Sequence, residues 1–169
     1  MATRIQRRGS DQMKVRLIKQ RGTPELRNRR RLQMIMSLGQ SLAGLGNEQG
    51  TLNVILTGAS AMAEMNEQFL QHEGRTDVLT FDLRDDDGFP VDEDDCVAEV
   101  YVCPDVAVEY SAKFGTTPSS ELVLYIVHGM LHLAGEDDLD DAARAAMRQA
   151  ERRVMDGIRE HFSVEGFIS

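Results

Sequence analysis

The apolar and polar positions of this chain follow two periods in turn. Residues 15–19 mix apolar and basic side chains at the period of a half-buried strand. Thr23-Pro24-Glu25 then reads as a helix start, with Thr23 as cap and Pro24 in the first position. That helix is expected to reach residue 43, where Gly44 and Gly46 end it. Residues 52–56 read as a strand, 60–70 as a helix with Met62, Met65 and Phe69 on one side, and 78–81 as a short strand. Residues 97–103 form a further strand, ended by Pro104. Three helices follow: 105–114 with Gly115 as its cap, 120–134 opened by Ser119/Ser120-Glu121, and a long amphipathic one over 139–161. The order β-α-β-α-β-β-α-α-α predicts an α/β (α+β) single domain, with about four strands in a mixed sheet packed with five helices.

The chain has 169 residues, enough to bury a sizeable core without disulfides. Cys96 and Cys103 match neither a CxxC pair nor a disulfide framework, and read as reduced thiols of a cytoplasmic protein. The longest apolar run, residues 122–127, is far short of the ~20 residues that cross a bilayer, so no membrane partner is expected. The first residues are basic without an apolar segment, unlike a secretory signal. An Arg-rich organellar leader remains the other reading.

Charge is unevenly distributed. The net is −9, yet residues 1–34 hold eleven Lys/Arg and two acids, whereas residues 35–169 net −18. Residues 1–13 read as a mobile basic lead-in and 14–169 as the folded domain. Eight of the fourteen residues over 82–95 are acidic. Their spacing misses the EF-hand register, so they read as a solvated loop between strands.

Chemistry concentrates in the helix 120–134, which is apolar on almost every side and therefore buried. His128 and His132 lie inside it, four residues apart and on one face. A lone buried histidine is usually a core residue; two at this spacing form a common edge of a transition-metal site. Gly135 permits the left-handed turn that folds the chain back. Glu136-Asp137-Asp138 follow, and a carboxylate six residues after His132 can then swing in as a third ligand. Three protein ligands with an open position describe a catalytic metal, which activates water and polarises a carbonyl or phosphoryl oxygen. Position 129 is Gly, so the general base of an HExxH metalloprotease is missing and space is expected beside the metal.

The run His128-Gly129-Met130-Leu131-His132-Leu133-Ala134-Gly135-Glu136-Asp137-Asp138 resembles the H-G-x-L-H-L-x-G-x-D-H signature of the YbeY family of metal-dependent bacterial endoribonucleases. Asn66-Glu67-Gln68-Phe69 with Thr76-Asp77-Val78-Leu79-Thr80-Phe81 is similar to the family's N-x-x-[YF] and T-D-V-L-S-F segments. Ala98-Glu99-Val100-Tyr101-Val102 is similar to its G-[DE]-I-x-I strand, and Glu121 matches as well. The resemblance covers about residues 15–160.

The resemblance implies one zinc at the end of the buried helix, held by His128, His132 and Asp138. It implies cleavage of single-stranded RNA in 16S rRNA 3′-end maturation and ribosome quality control, with the ribosome or ribosomal proteins and assembly factors as partners. Asp138 stands where most members have His; a carboxylate still binds zinc and shifts preference toward harder ions such as Mn²⁺. Asp137 competes for the ligand role, and the family pattern places it beside the ligand. Leu70 stands where the family has a phosphate-holding Arg, and His72 is the candidate catalytic cation or proton donor in its place; a surface histidine is the plainer reading. Arg16, Lys19, Arg27, Arg29, Arg30 and Arg31 form the expected RNA-facing charge, or else a solvated helical face. The competing functions are a non-catalytic assembly factor stapled by a metal, and another zinc hydrolase such as a minimal metalloprotease.

Overall fold

Two near-continuous apolar runs form the centre of the sheet, as expected of strands covered on both faces. They are β2 (Thr51–Leu56) and β4 (Cys96–Val102), and the computed structural model pairs them in parallel. It describes residues 12–70, 76–84 and 91–169. β1 (Lys14–Lys19), whose polar positions stay exposed, joins β2 in parallel at one edge. β3 (Val78–Asp82) joins β4 antiparallel at the other, giving the order β1-β2-β4-β3.

The helices are α1 (Arg29–Leu42), α2 (Ala59–Leu70), α3 (Pro104–Phe114), α4 (Pro118–Leu133) and α5 (Asp141–Arg159). α1 packs on β1, α4 on β3 and β4, and α5 against both helices, so these three form one layer. α2 approaches the opposite face, where Phe69 meets Phe81 and Phe81 meets Tyr101 edge to face, with centroids 5.2 and 5.7 Å apart. The five-helix, four-strand mixed-sheet architecture and its element order agree with the sequence reading.

Two expectations need correction. First, α1 begins at Arg29, six residues past the expected cap. The Thr23 hydroxyl donates to Gln20 O (2.8 Å), closing a turn instead. The chain's last residues hold the next segment extended: Arg27 N donates to Phe167 O (2.9 Å) and Asn28 Nδ2 to Gly166 O (2.8 Å). Asn28 takes φ 50°, which asparagine tolerates. Second, α4 starts at Pro118, capped by Thr117 through Ser120 N (3.1 Å). Gly115 does close α3, at φ 66°.

Most of the basic lead-in, residues 1–11, lies outside the described residues, while Met13 is buried in the core. Of the acidic loop, residues 85–90 lie outside them; Glu93 and Asp94 pair with Lys14 at 3.2 and 3.3 Å. Among the described residues, no helix is long and apolar enough to cross a membrane.

Candidate metal centre

α4 is buried because its apolar residues meet the sheet on one side and α5 on the other. Leu122, Ile126 and Met130 are fully enclosed. His128 and His132 emerge where this enclosure opens, with side chains 20% and 29% exposed, against 41% for Asp138. Exposure therefore rises toward Asp138, which gives the cluster a solvent-facing side.

The end of α4 is built to bring Asp138 back. Gly135 adopts φ +103°. Gly135 N donates to His132 O (3.1 Å) and Glu136 N to Leu131 O (3.0 Å). This pair of bonds satisfies carbonyls that a helix end leaves open. The reversed chain then offers Glu136 O as acceptor for His132 Nδ1–H at 3.0 Å. Arg84, just beyond β3, donates to Leu133 O (2.7 Å) and grips Asp82 through two bonds of 2.6 and 2.8 Å.

His128 is fixed from the other side. Its Nδ1–H donates to Glu151 Oε1 of α5 at 2.6 Å. A carboxylate and a carbonyl only accept, so both imidazoles carry their proton on Nδ1 when neutral. Both Nε2 lone pairs consequently face inward, 3.0 Å apart. Asp138 Oδ2 lies 3.6 Å from one and 3.8 Å from the other. Three electron-pair donors converge on one small volume, which calls for a cation. All lie within 4.8 Å of one another, a spacing that metal bonds of ~2.0–2.2 Å can span. The residues therefore fit a divalent metal. Burial disfavours the His128 cation. The hydrogen bond and charge of Glu151, with the charges of Asp77 and Asp138, outweigh this and place its pKa above the ordinary value.

Asp137 does not join the cluster. Its Oδ1 accepts from Leu139 N (3.3 Å) in the turn that precedes α5. His72 lies outside the described residues, and Leu70 is exposed at the end of α2. The space expected beside the metal at Gly129 is not there. A Cβ on Gly129 would sit 2.6 Å from Val100 Cγ1 and 3.1 Å from Thr80 Oγ1. The glycine instead lets α4 lie close against the sheet.

Of the expected RNA-facing charge, Arg27, Arg29 and Arg31 are engaged within the chain, whereas Arg16, Lys19 and Arg30 are exposed with no hydrogen bond or ion pair among the described residues. Arg29 donates to Leu17 O, and Arg31 donates to Glu165 O with its guanidinium 4.9 Å from the Phe167 ring centroid. Arg27 pairs with Glu25 at 3.7 Å. Sequence reasoning missed Glu151 and Arg84, both of which reach α4 from distant parts of the chain. No spacing rule links them to the histidines.

The family model described as Endoribonuclease YbeY matches residues 17–159. Endoribonuclease YbeY of Thermotoga petrophila is 35% identical over 108 residues, which is 63% of this chain and 67% of that protein. Its counterpart in Elusimicrobium minutum is 31% identical over 119 residues, 68% of this chain and 79% of that one. The solution structure of TM1509 from Thermotoga maritima has a TM-score of 0.55 and 26% identity, covering 90% of this chain and 96% of that one. With its paired histidines, returning aspartate and matching sequence over most of its length, the chain belongs to the YbeY endoribonuclease family.

Proposed function

We propose that this chain is a zinc-dependent endoribonuclease of the cytoplasm that cleaves single-stranded rRNA during 16S rRNA 3′-end maturation and ribosome quality control. The observation that carries the reading is the convergence of His128 Nε2, His132 Nε2 and Asp138 Oδ2 within 4.8 Å, in a chain of this family. His128, His132 and Asp138 would hold the metal, which supplies Lewis acidity and an activated water for phosphodiester hydrolysis. Glu151 and the Glu136 carbonyl keep both Nδ1 protons in place, so Nε2 stays the donor atom on each ring. The carboxylate of Asp138 makes the donor set anionic, which favours harder ions such as Mn²⁺ more than three imidazoles would. His72, two residues past Leu70, is the proposed cation for the phosphate where the family arginine is absent. Ribosomal proteins and assembly factors are the proposed partners.

The test is His128→Ala and His132→Ala, assayed for bound metal by elemental analysis and for cleavage of single-stranded rRNA. Both variants should lose metal and cleavage together. Full cleavage by a metal-free His128→Ala protein overturns the reading. A wild-type protein that holds metal but leaves rRNA intact indicates the assembly-factor role instead.

A further inference from the structure

A groove of about 390 Å³ runs between α4 and α5, and three of its lining residues are arginines of α5: Arg148, Arg152 and Arg159. Their separations of four and seven residues place them on one stripe of the helix. Leu124 and Glu121 line the opposite wall. Leu124 lies one turn, ~5.4 Å, before His128 along α4. Glu151 lines the groove as well, and its carboxylate holds His128 Nδ1 at 2.6 Å. The groove and the donor cluster therefore share a wall, and Arg148 and Arg152 flank it in sequence on either side of Glu151.

The charges in this groove are unevenly satisfied. Glu151 is engaged by His128, and Glu121 accepts from Thr116 Oγ1 at 2.6 Å. Arg159 reaches Asp156 at 3.6 Å. Arg148 and Arg152 have no hydrogen bond or ion pair among the described residues. Their planar donors, unpaired in a concave surface, suit phosphate oxygens. Arg29 and Arg31 of the first helix contrast with them, since both hold backbone carbonyls of this chain.

We infer that Arg148 and Arg152, with Arg159 farther along, form a phosphate track that grips the RNA strand next to the bond being cut. This rests on the RNA-cleaving reading above. The track positions the strand and does not touch the reacting atoms. A strand whose scissile phosphate lies at His128 and His132 passes Glu151 and brings an adjoining phosphate to Arg152 and Arg148. Backbone contacts of this kind carry no sequence preference.

The test is the fluorescence anisotropy of a labelled single-stranded oligoribonucleotide, titrated with metal-loaded protein over a series of salt concentrations. Arg148→Gln/Arg152→Gln should weaken binding about tenfold or more. It should also reduce the slope of log K against log salt by ~1.4, or ~0.7 for each of two lost phosphate contacts. Bound metal and melting temperature should not change, because both side chains are exposed. Arg148→Lys/Arg152→Lys should keep the slope and recover part of the affinity, since charge remains but the planar fork is lost. Lys113→Gln, on the exposed surface of α3, should match wild type. Wild-type affinity and slope in the Gln double variant overturn the track and leave the RNA reading standing. A metal-loaded wild type that neither binds nor cleaves RNA overturns both.

Discussion

Glu151 of α5 accepts a 2.6 Å hydrogen bond from His128 Nδ1 of α4, joining two helices through residues 23 apart in sequence. The bond fixes the ring so that Nε2 faces His132 and Asp138. Acceptors behind metal-binding histidines typically contribute 10- to 100-fold in metal affinity. Glu151→Ala should therefore weaken metal binding by about that factor, measured by competition with a chromophoric chelator. Glu151→Gln should recover part of it, because an amide oxygen still accepts. Equal metal affinity in all three proteins would remove Glu151 from the centre.

The same cluster sets a dependence on pH. His128 has a folded-state pKa above its ordinary 6.5 because Glu151, Asp77 and Asp138 outweigh burial. In metal-free protein, its protonation adds stability that is fully present below the unfolded pKa. That stability is lost as pH rises through the folded value. Metal requires the neutral ring, so its affinity should move the other way and fall as pH drops through the same range. Melting curves with and without metal across this range should diverge as pH rises. Parallel curves would show that the metal does not engage His128.

Gly129 presents its bare Cα to Val100, and an added Cβ would stand 2.6 Å from Val100 Cγ1. Val100 is fully buried and β-branched, so it has little freedom to move aside. Gly129→Ala should destabilise the fold by about 1–3 kcal/mol, despite alanine's better helix propensity. Val100→Ala should remove the clashing methyls and make the double variant more stable than the two single effects predict. Denaturant unfolding of the four proteins measures this coupling. Additive effects would mean that the helix and strand do not meet there.

How legible these features were depended on the range of the interactions involved. The sheet strands and the α4 histidines follow from periodicity and spacing within a few residues. The glycine turn was readable too, because Gly135 alone supplies φ +103°. The start of α1 was not, because Thr23-Pro24 is a good local signal that a distant segment overrides. Arg27 and Asn28 bond to Phe167 and Gly166, and Ser119 Oγ accepts from Phe167 N at 2.9 Å. Gly129 was misread for a similar reason: its neighbour is a strand about thirty residues earlier. Charge alone was ambiguous as well, since counting arginines cannot distinguish Arg31, which donates to Glu165 O, from Arg152, which has no hydrogen bond or ion pair among the described residues.

Arg84 links the edge of the sheet to the metal helix, and acid should loosen it. Its guanidinium holds the Asp82 carboxyl below its ordinary pKa, outweighing partial burial. Such a group contributes stability above its unfolded pKa, and that contribution is lost as pH falls through the folded value. Arg84→Gln should therefore lower stability at neutral pH and make the decline shallower as pH falls through and below the ordinary carboxyl range. It should also loosen the end of α4, since Leu133 O loses its 2.7 Å donor. Hydrogen exchange at Gly135 and Glu136 should speed up. Unchanged exchange there would confine Arg84 to a surface ion pair.

Asp138 is the most open member of the cluster, and its oxygen lies 3.6 and 3.8 Å from the two Nε2 atoms. As a carboxylate it offers a hard, anionic donor in place of the third imidazole usual in the family pattern. Asp138→His should therefore raise the affinity for Zn²⁺ relative to Mn²⁺, since imidazole suits zinc and carboxylate suits manganese. Asp138→Ala should weaken both ions, while Asp137→Asn should weaken neither, because Asp137 is occupied by Leu139 N. Titration of the four proteins with each metal separates the two aspartates. Selectivity that changes with residue 137 and not with residue 138 would reassign the third ligand.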